Sequence, residues 1–98
     1  MRMLLKVQMN TATSNETIKQ GKLLEIMETT LKELNPEAAY FTVEDGCRTG
    51  YLFFDLKDPS QLPKISEPFF MEMGAKVHYS PVMNPDDLRK GLSAIMPS

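Results

Sequence analysis

The sequence predicts an α+β fold built on a four-stranded antiparallel sheet. Apolar and polar residues alternate in four segments, which is typical of strands, and apolar residues recur at intervals of three and four in three other segments, which is typical of helices. Asp45 and Gly46 separate two of the alternating segments and suit a type I′ turn, because both residues tolerate positive φ angles. Residues 39–55 are therefore predicted to form a hairpin.

The first strand and the first helix come before this hairpin. Residues 3–9 alternate with one fully apolar side, so they form a strand. Thr13 fits a helix N-cap, with Asn15 as the alternative. One helix is then expected to continue through Gly21 to the Asn35-Pro36 pair, because the residue before a proline is pushed out of the α region. The apolar stripe of this helix consists of Leu24, Met27, Leu31 and Leu34.

The hairpin has two different sides. Ala39, Phe41 and Val43 are expected to share an apolar side with Leu52 and Phe54. The opposite side is mixed in character. It is predicted to carry Tyr40, Thr42, Glu44, Thr49, Tyr51 and Phe53.

Two helices and a strand follow the hairpin. The second helical region opens at residues 58–60 and ends at Gly74, and its prolines predict a kink or a split. Residues 75–82 form the last strand, and because Pro81 cannot donate a backbone hydrogen bond, this strand lies at a sheet edge or ends there. Asn84 caps a final helix. The expected packing stripes are Leu62, Ile65, Phe69 and Met73 in the second helix and Leu88, Leu92 and Ile95 in the last.

The predicted element order is βαββαβ with an extra C-terminal helix, which is the split βαβ arrangement of a ferredoxin-like fold. Right-handed crossovers put both main helices on one face of the sheet. The other face, called the open face below, is too aromatic to be left bare and too polar for an ordinary core. A second copy could cover it. The residues of the open face are Leu4, Lys6, Gln8, Tyr40, Thr42, Glu44, Thr49, Tyr51, Phe53, Lys76 and His78.

On this element order, and on residues 48–55 (RTGYLFFD) and 74–77 (GAKV), the chain resembles the dimeric α+β-barrel superfamily. The two segments look like parts of uncharacterised bacterial proteins of that type. The resemblance implies two ferredoxin-like subunits that face their sheets together around a small cavity. Members of the superfamily include cofactor-independent monooxygenases, haem-degrading enzymes and isomerases, so the fold alone does not select a function.

Composition limits the function further. The 98 residues suit a single domain, residues 1–98, and 42% apolar content is ordinary for a soluble protein. A net charge of −2 argues against nucleic-acid binding. One cysteine and one histidine cannot form an internal disulfide or a Cys/His metal cluster, and no metal or cofactor is expected. Lys6 interrupts the apolar start and no later run is long enough for a membrane, which predicts a cytoplasmic protein.

Several residues are candidates for chemistry. His78 could move a proton near neutral pH, although an exposed or hydrogen-bonded strand histidine is the alternative. Tyr40 and Tyr51 could bind a phenolic or carbonyl ligand or simply bury their rings in an interface. Arg48 could hold a carboxylate or be a solvated charge, and Cys47 beside it could be reactive. The candidate ligand-binding residues are Lys6, Tyr40, Glu44, Tyr51 and Phe53, and the candidate catalytic residue is His78.

Three hypotheses follow from these residues. The leading one is a homodimer, paired through the open face, with a cavity for a small aromatic or other organic metabolite. The second is a cofactor-independent monooxygenase or isomerase in which His78 or a tyrosine moves a proton on a phenolic or lactone-like substrate. The third is a structural or regulatory subunit that uses an edge strand or its final helix to contact another protein.

Overall fold

The computed structural model describes residues 1–97 as four antiparallel strands and four helices. The α+β class and the four-stranded antiparallel sheet are as the sequence predicts, and the arrangement is compatible with a ferredoxin-like fold. In chain order the elements are β1 (Arg2–Gln8), α1 (Thr11–Lys19), α2 (Lys22–Leu34), β2 (Ala38–Glu44), β3 (Cys47–Asp55), α3 (Gln61–Met73), β4 (Lys76–Pro81) and α4 (Pro85–Ser93).

The strands lie in the order β2-β3-β1-β4, so β2 and β4 form the two edges of the sheet. The predicted hairpin is confirmed: two residues connect β2 to β3, and both Asp45 (φ 52°) and Gly46 (φ 73°) have positive φ angles. Tyr40 pairs with Tyr51, Tyr51 with Lys6, and Lys6 with His78. These four side chains therefore lie in one row across the sheet.

The hydrophobic core lies between the helices and one face of the sheet. Alternate residues of β1 and β3 point into it, as the period of two predicts. Phe69 is the largest fully buried side chain, and α2 contributes Met27. The buried cluster comprises Met3, Leu5, Val7, Met9, Met27, Leu52, Phe54, Leu56, Ile65, Phe69, Met73 and Ala75.

The helix predicted to run unbroken to residue 34 is two helices, which corrects the sequence prediction. Its N-cap is Asn10, whose side chain accepts a hydrogen bond of 2.9 Å from the Thr13 amide; neither Thr13 nor Asn15 is the cap. Gly21 adopts a φ of 74°, a left-handed conformation that glycine enters easily, and α2 begins immediately after it. The glycine therefore ends a helix that periodicity alone would continue.

The third helix, α3, is continuous through Pro68, so the predicted split does not occur. The apolar stripe is confirmed, since Ile65, Phe69 and Met73 are buried. Gly74, in a left-handed conformation, ends α3 as predicted. Packing of this stripe holds the helix together despite the lost backbone hydrogen bond.

The last helix departs from its predicted packing. Asn84 caps α4 and forms a capping box with Asp87, which confirms the predicted start. The expected packing stripe of Leu88, Leu92 and Ile95 is nevertheless exposed, and α4 has no buried residue. The stripe therefore adds nothing to the buried core in the described part of the chain. None of the helices in residues 1–97 combines the length and apolar character needed to span a bilayer.

Candidate functional site

The open face carries a cluster of three linked side chains at its centre. Lys6 projects from β1, Tyr51 from β3 and Glu44 from the end of β2, so the cluster crosses three strands. One oxygen of the Glu44 carboxylate accepts a hydrogen bond from the Tyr51 hydroxyl, and the other pairs with the Lys6 ammonium. The Lys6 nitrogen also lies 5.8 Å from the centre of the Tyr51 ring, within reach of a cation–π interaction.

Sequence alternation explains why these groups meet. Lys6 pairs with Tyr51 in the register of β1 and β3, so both side chains must project on the same side of the sheet. Glu44 closes the hairpin opposite Cys47 and shares that side. Gln8 adds a second link, because its Nε2 donates a 3.2 Å hydrogen bond to the Glu44 carbonyl across β3. The end of β2 is thereby tied to the central strand.

The three groups fix one another's charge. The hydrogen bond to Glu44 raises the pKa of Lys6. The pKa of Glu44 is lowered mainly by the hydrogen bond from Lys6 and next by the one from Tyr51. The hydrogen bond to Glu44 also raises the pKa of Tyr51, because it stabilises the protonated phenol. At neutral pH the cluster therefore holds an ammonium, a carboxylate and a neutral phenol. None of the three is suited to exchange a proton near neutrality.

Glu44→Gln is expected to lower the pKa of Tyr51. The neutral amide accepts a weaker hydrogen bond than the carboxylate, and it no longer repels the tyrosinate that forms on titration. The titration of Tyr51 therefore moves to lower pH in the variant. Nuclear magnetic resonance of ring-labelled tyrosines measures this shift directly.

Tyr79 is the internal control for that titration. Its pKa is raised mainly by burial, and its hydroxyl lies 2.7 Å from Ser66 Oγ on the helix side of the sheet. Glu44→Gln should leave the titration of Tyr79 unchanged. Equal Tyr51 titrations in the variant and the wild type would contradict the hydrogen-bond assignment.

The remaining predicted site residues surround this cluster. Tyr40 is exposed on β2 beside Tyr51, and half-buried Phe53 lies two residues farther along β3. His78 is exposed on β4 directly opposite Lys6. The structure thus brings Lys6, Glu44 and Tyr51 into contact and places Tyr40, Phe53 and His78 on the same side of the sheet without a hydrogen bond to the cluster in residues 1–97.

Arg48 has a structural role instead of facing a ligand. Its side chain lies on the helix side, where Nη1 donates to Ser14 Oγ at 2.6 Å and Nη2 donates to Asn15 Oδ1 at 2.9 Å. The guanidinium thus fastens α1 to β3. Cys47 is half-buried, and its Sγ lies 3.6 Å from the Asp45 carbonyl.

A groove of about 500 Å³ lies on the other side of the molecule, between α2 and α3. The sequence did not predict it. Two ion pairs bridge it, Lys22 with Glu72 and Lys64 with Glu33, each at 3.9 Å. Four of its charged groups therefore pair with one another, while Glu25 and Glu67 line the groove without an ion pair in residues 1–97. No group of three or more metal-ligating side chains occurs in residues 1–97.

Comparison with known proteins adds no functional assignment. No protein-family model matches the chain, and neither a curated protein nor a solved structure matches it significantly. The resemblance to the dimeric α+β-barrel superfamily therefore stays a prediction from the sequence.

Proposed function

We propose that two copies of this chain pair through their open faces and bind a small neutral aromatic molecule carrying a hydroxyl group at the Lys6–Glu44–Tyr51 cluster. The observation that carries the proposal is the linked cluster, which lies on the sheet face opposite the core of residues 1–97. In this proposal the fold is ferredoxin-like, the assembly is a dimeric α+β barrel, and the protein is cytoplasmic.

The hydrogen-bonding capacity of the cluster supports a hydroxyl ligand. The Lys6 ammonium has three donors and uses one on Glu44, while the carboxylate has about four acceptor positions and uses two. A phenolic hydroxyl donates one hydrogen bond and accepts another. It can therefore donate to a spare acceptor position of the Glu44 carboxylate and accept from a spare donor of the Lys6 ammonium. The cluster carries no net charge, so a neutral ligand leaves no charge unpaired.

The surroundings of the cluster support an aromatic ligand. Tyr40 and Phe53 present rings on the same side of β2 and β3, and Leu4 lies across from Phe53. In a free chain these apolar surfaces contact water, and a second open face would enclose them. An enclosed site with apolar walls and a few convergent polar groups is the usual form of a small-molecule site.

Phenol is the expected ligand probe, and toluene is its matched control because it has a similar shape without the hydroxyl. Isothermal titration calorimetry should show phenol binding at least about tenfold more tightly than toluene, as one hydrogen bond to a charged group contributes roughly 1.5 to 3 kcal/mol. Glu44→Gln should weaken phenol binding by about the same factor. Glu28→Gln makes the same chemical change on an exposed position of α2 and should have no effect.

Equal binding of phenol and toluene, or binding of neither, would contradict the proposal. Product analysis of the same mixtures tests a second candidate function, a cofactor-independent monooxygenase or isomerase. His78 lies directly opposite Lys6, and cross-strand neighbours have Cβ atoms about 5 Å apart, so His78 lies next to the cluster. This position favours the second candidate. Conversion of a phenol or lactone that His78→Ala abolishes, in a variant that stays dimeric, would establish the enzyme.

A further inference from the structure

The free edge of β2 lacks the features that usually keep edge strands from pairing. Natural edge strands are blocked by lysine, proline, bulges or shortness. β4, the other edge, has such features, since it carries Lys76 and ends at Pro81. β2 has seven residues, and the first six, residues 38–43, contain no charge and no proline. Only Glu44 at its end is charged.

The backbone of β2 presents hydrogen-bonding groups at this edge that no other strand of residues 1–97 pairs with. The Arg48 carbonyl accepts a 2.9 Å hydrogen bond from the Met9 amide, so the backbone groups of Arg48 point toward β1. The Phe53 carbonyl accepts a 2.8 Å hydrogen bond from the Glu37 amide, so the backbone groups of Phe53 point toward β2. Phe53, Tyr51 and Thr49 lie opposite Ala38, Tyr40 and Thr42 of β2. The backbone groups of these β2 residues therefore form hydrogen bonds with β3. The N–H and C=O groups of Ala39, Phe41 and Val43 point outward.

The side chains of these three outward-bonding residues lie on the helix side, where the helices do not reach the margin of the sheet. Phe41 is 54% exposed and Val43 is 72% exposed, although the alternation predicted an apolar face covered by helices. The Phe41 ring covers Gly50, where an added Cβ would lie 3.1 Å from it. An apolar margin and an unpaired backbone edge thus coincide in one strand.

We propose that this edge pairs antiparallel with the β2 edge of a second copy, in a register centred on Phe41. In such a pair, the residues whose backbone groups point outward must lie opposite one another. This register meets that condition, because it sets Phe41 against Phe41 and Val43 against Ala39 of the other copy. The same register sets Tyr40 against Thr42 and Glu44 against Ala38, so no like charges meet within the strand. The strand is complementary to itself under a twofold axis.

Edge pairing is independent of pairing through the open face, because it uses backbone groups and side chains on the opposite side of β2. Both contacts together give a tetramer, and edge pairing alone gives a dimer whose two sheets form one continuous sheet of eight strands. The two contacts are therefore separable by mutation.

Sedimentation velocity of the full chain at micromolar concentrations tests the edge. Phe41→Lys places two lysines on the twofold axis and is expected to halve the mass of the wild-type assembly. Leu24→Lys adds the same charge at an exposed apolar position on α2 and should leave the mass unchanged. Leu4→Glu, on the open face, should halve the mass separately, and the double variant with Phe41→Lys should be a monomer.

A Phe41→Lys variant that folds and keeps the wild-type mass would overturn edge pairing, whatever Leu4→Glu does. Because Phe41 covers Gly50, that variant could lose its hairpin, and Val43→Lys is then the variant to use, with the same expected mass. Amide exchange in the wild type gives a second readout. The amides of Phe41 and Val43 should be protected at high protein concentration, and exchange at the rate of an unstructured chain would overturn the proposal.

Discussion

Leu4→Glu is expected to separate the two open faces. Leu4 is half-buried on the open side of β1, between Phe53 and Ser80 in the register of the sheet. A carboxylate buried there without a partner costs about 3 to 5 kcal/mol, and the twofold axis introduces it twice. The dissociation constant of the open-face contact should therefore rise at least about 100-fold.

Sedimentation of the variant at micromolar concentration measures this loss as a halving of mass. Leu24→Glu is the matched control, because it makes the same substitution at a leucine that is 66% exposed on α2. A folded Leu4→Glu variant with the mass of the wild type would show that the open face is not an interface.

Phe69→Ala is expected to have the largest effect on folding. The ring is fully buried between α3 and the sheet, and truncating a buried phenylalanine costs about 3 to 5 kcal/mol. A domain of this size has roughly 5 to 15 kcal/mol of total stability, so the variant loses a large share of it. Urea unfolding followed by circular dichroism measures the difference.

The next residue provides the control. Phe70 is 44% exposed on the same helix, and Phe70→Ala should cost less than about 1 kcal/mol. Equal losses at the two positions would mean that α3 does not present the face to the sheet that its apolar stripe predicts.

The alternation of residues was sufficient to predict the two sides of the sheet. It placed Lys6, Glu44 and Tyr51 on one side before any register was known, because side chains of a strand alternate with a period of two. It could not predict that Glu44 links the other two. That contact depends on how far two long side chains reach across the strand between them, which only the register and the rotamers determine.

Helical periodicity predicted the buried face of α3, but it also assigned Leu24, which is 66% exposed, and the exposed stripe of α4 to packing, and it did not predict where helices break. Gly21 lies within a regular apolar pattern, and only its positive φ in the folded chain shows that α1 ends before it. Phe41 and Val43 belong to the apolar side of β2, yet both are exposed at the edge of the sheet. The stripe of α4 is regularly periodic, yet none of its residues is buried within residues 1–97.

The most direct test of the central proposal is a crystal structure of the protein grown with phenol. We expect two open faces packed together, with phenol between them and its hydroxyl within hydrogen-bond distance of the Glu44 carboxylate and the Lys6 ammonium. Open faces that contact only solvent, or phenol bound elsewhere while the cluster stays empty, would contradict it.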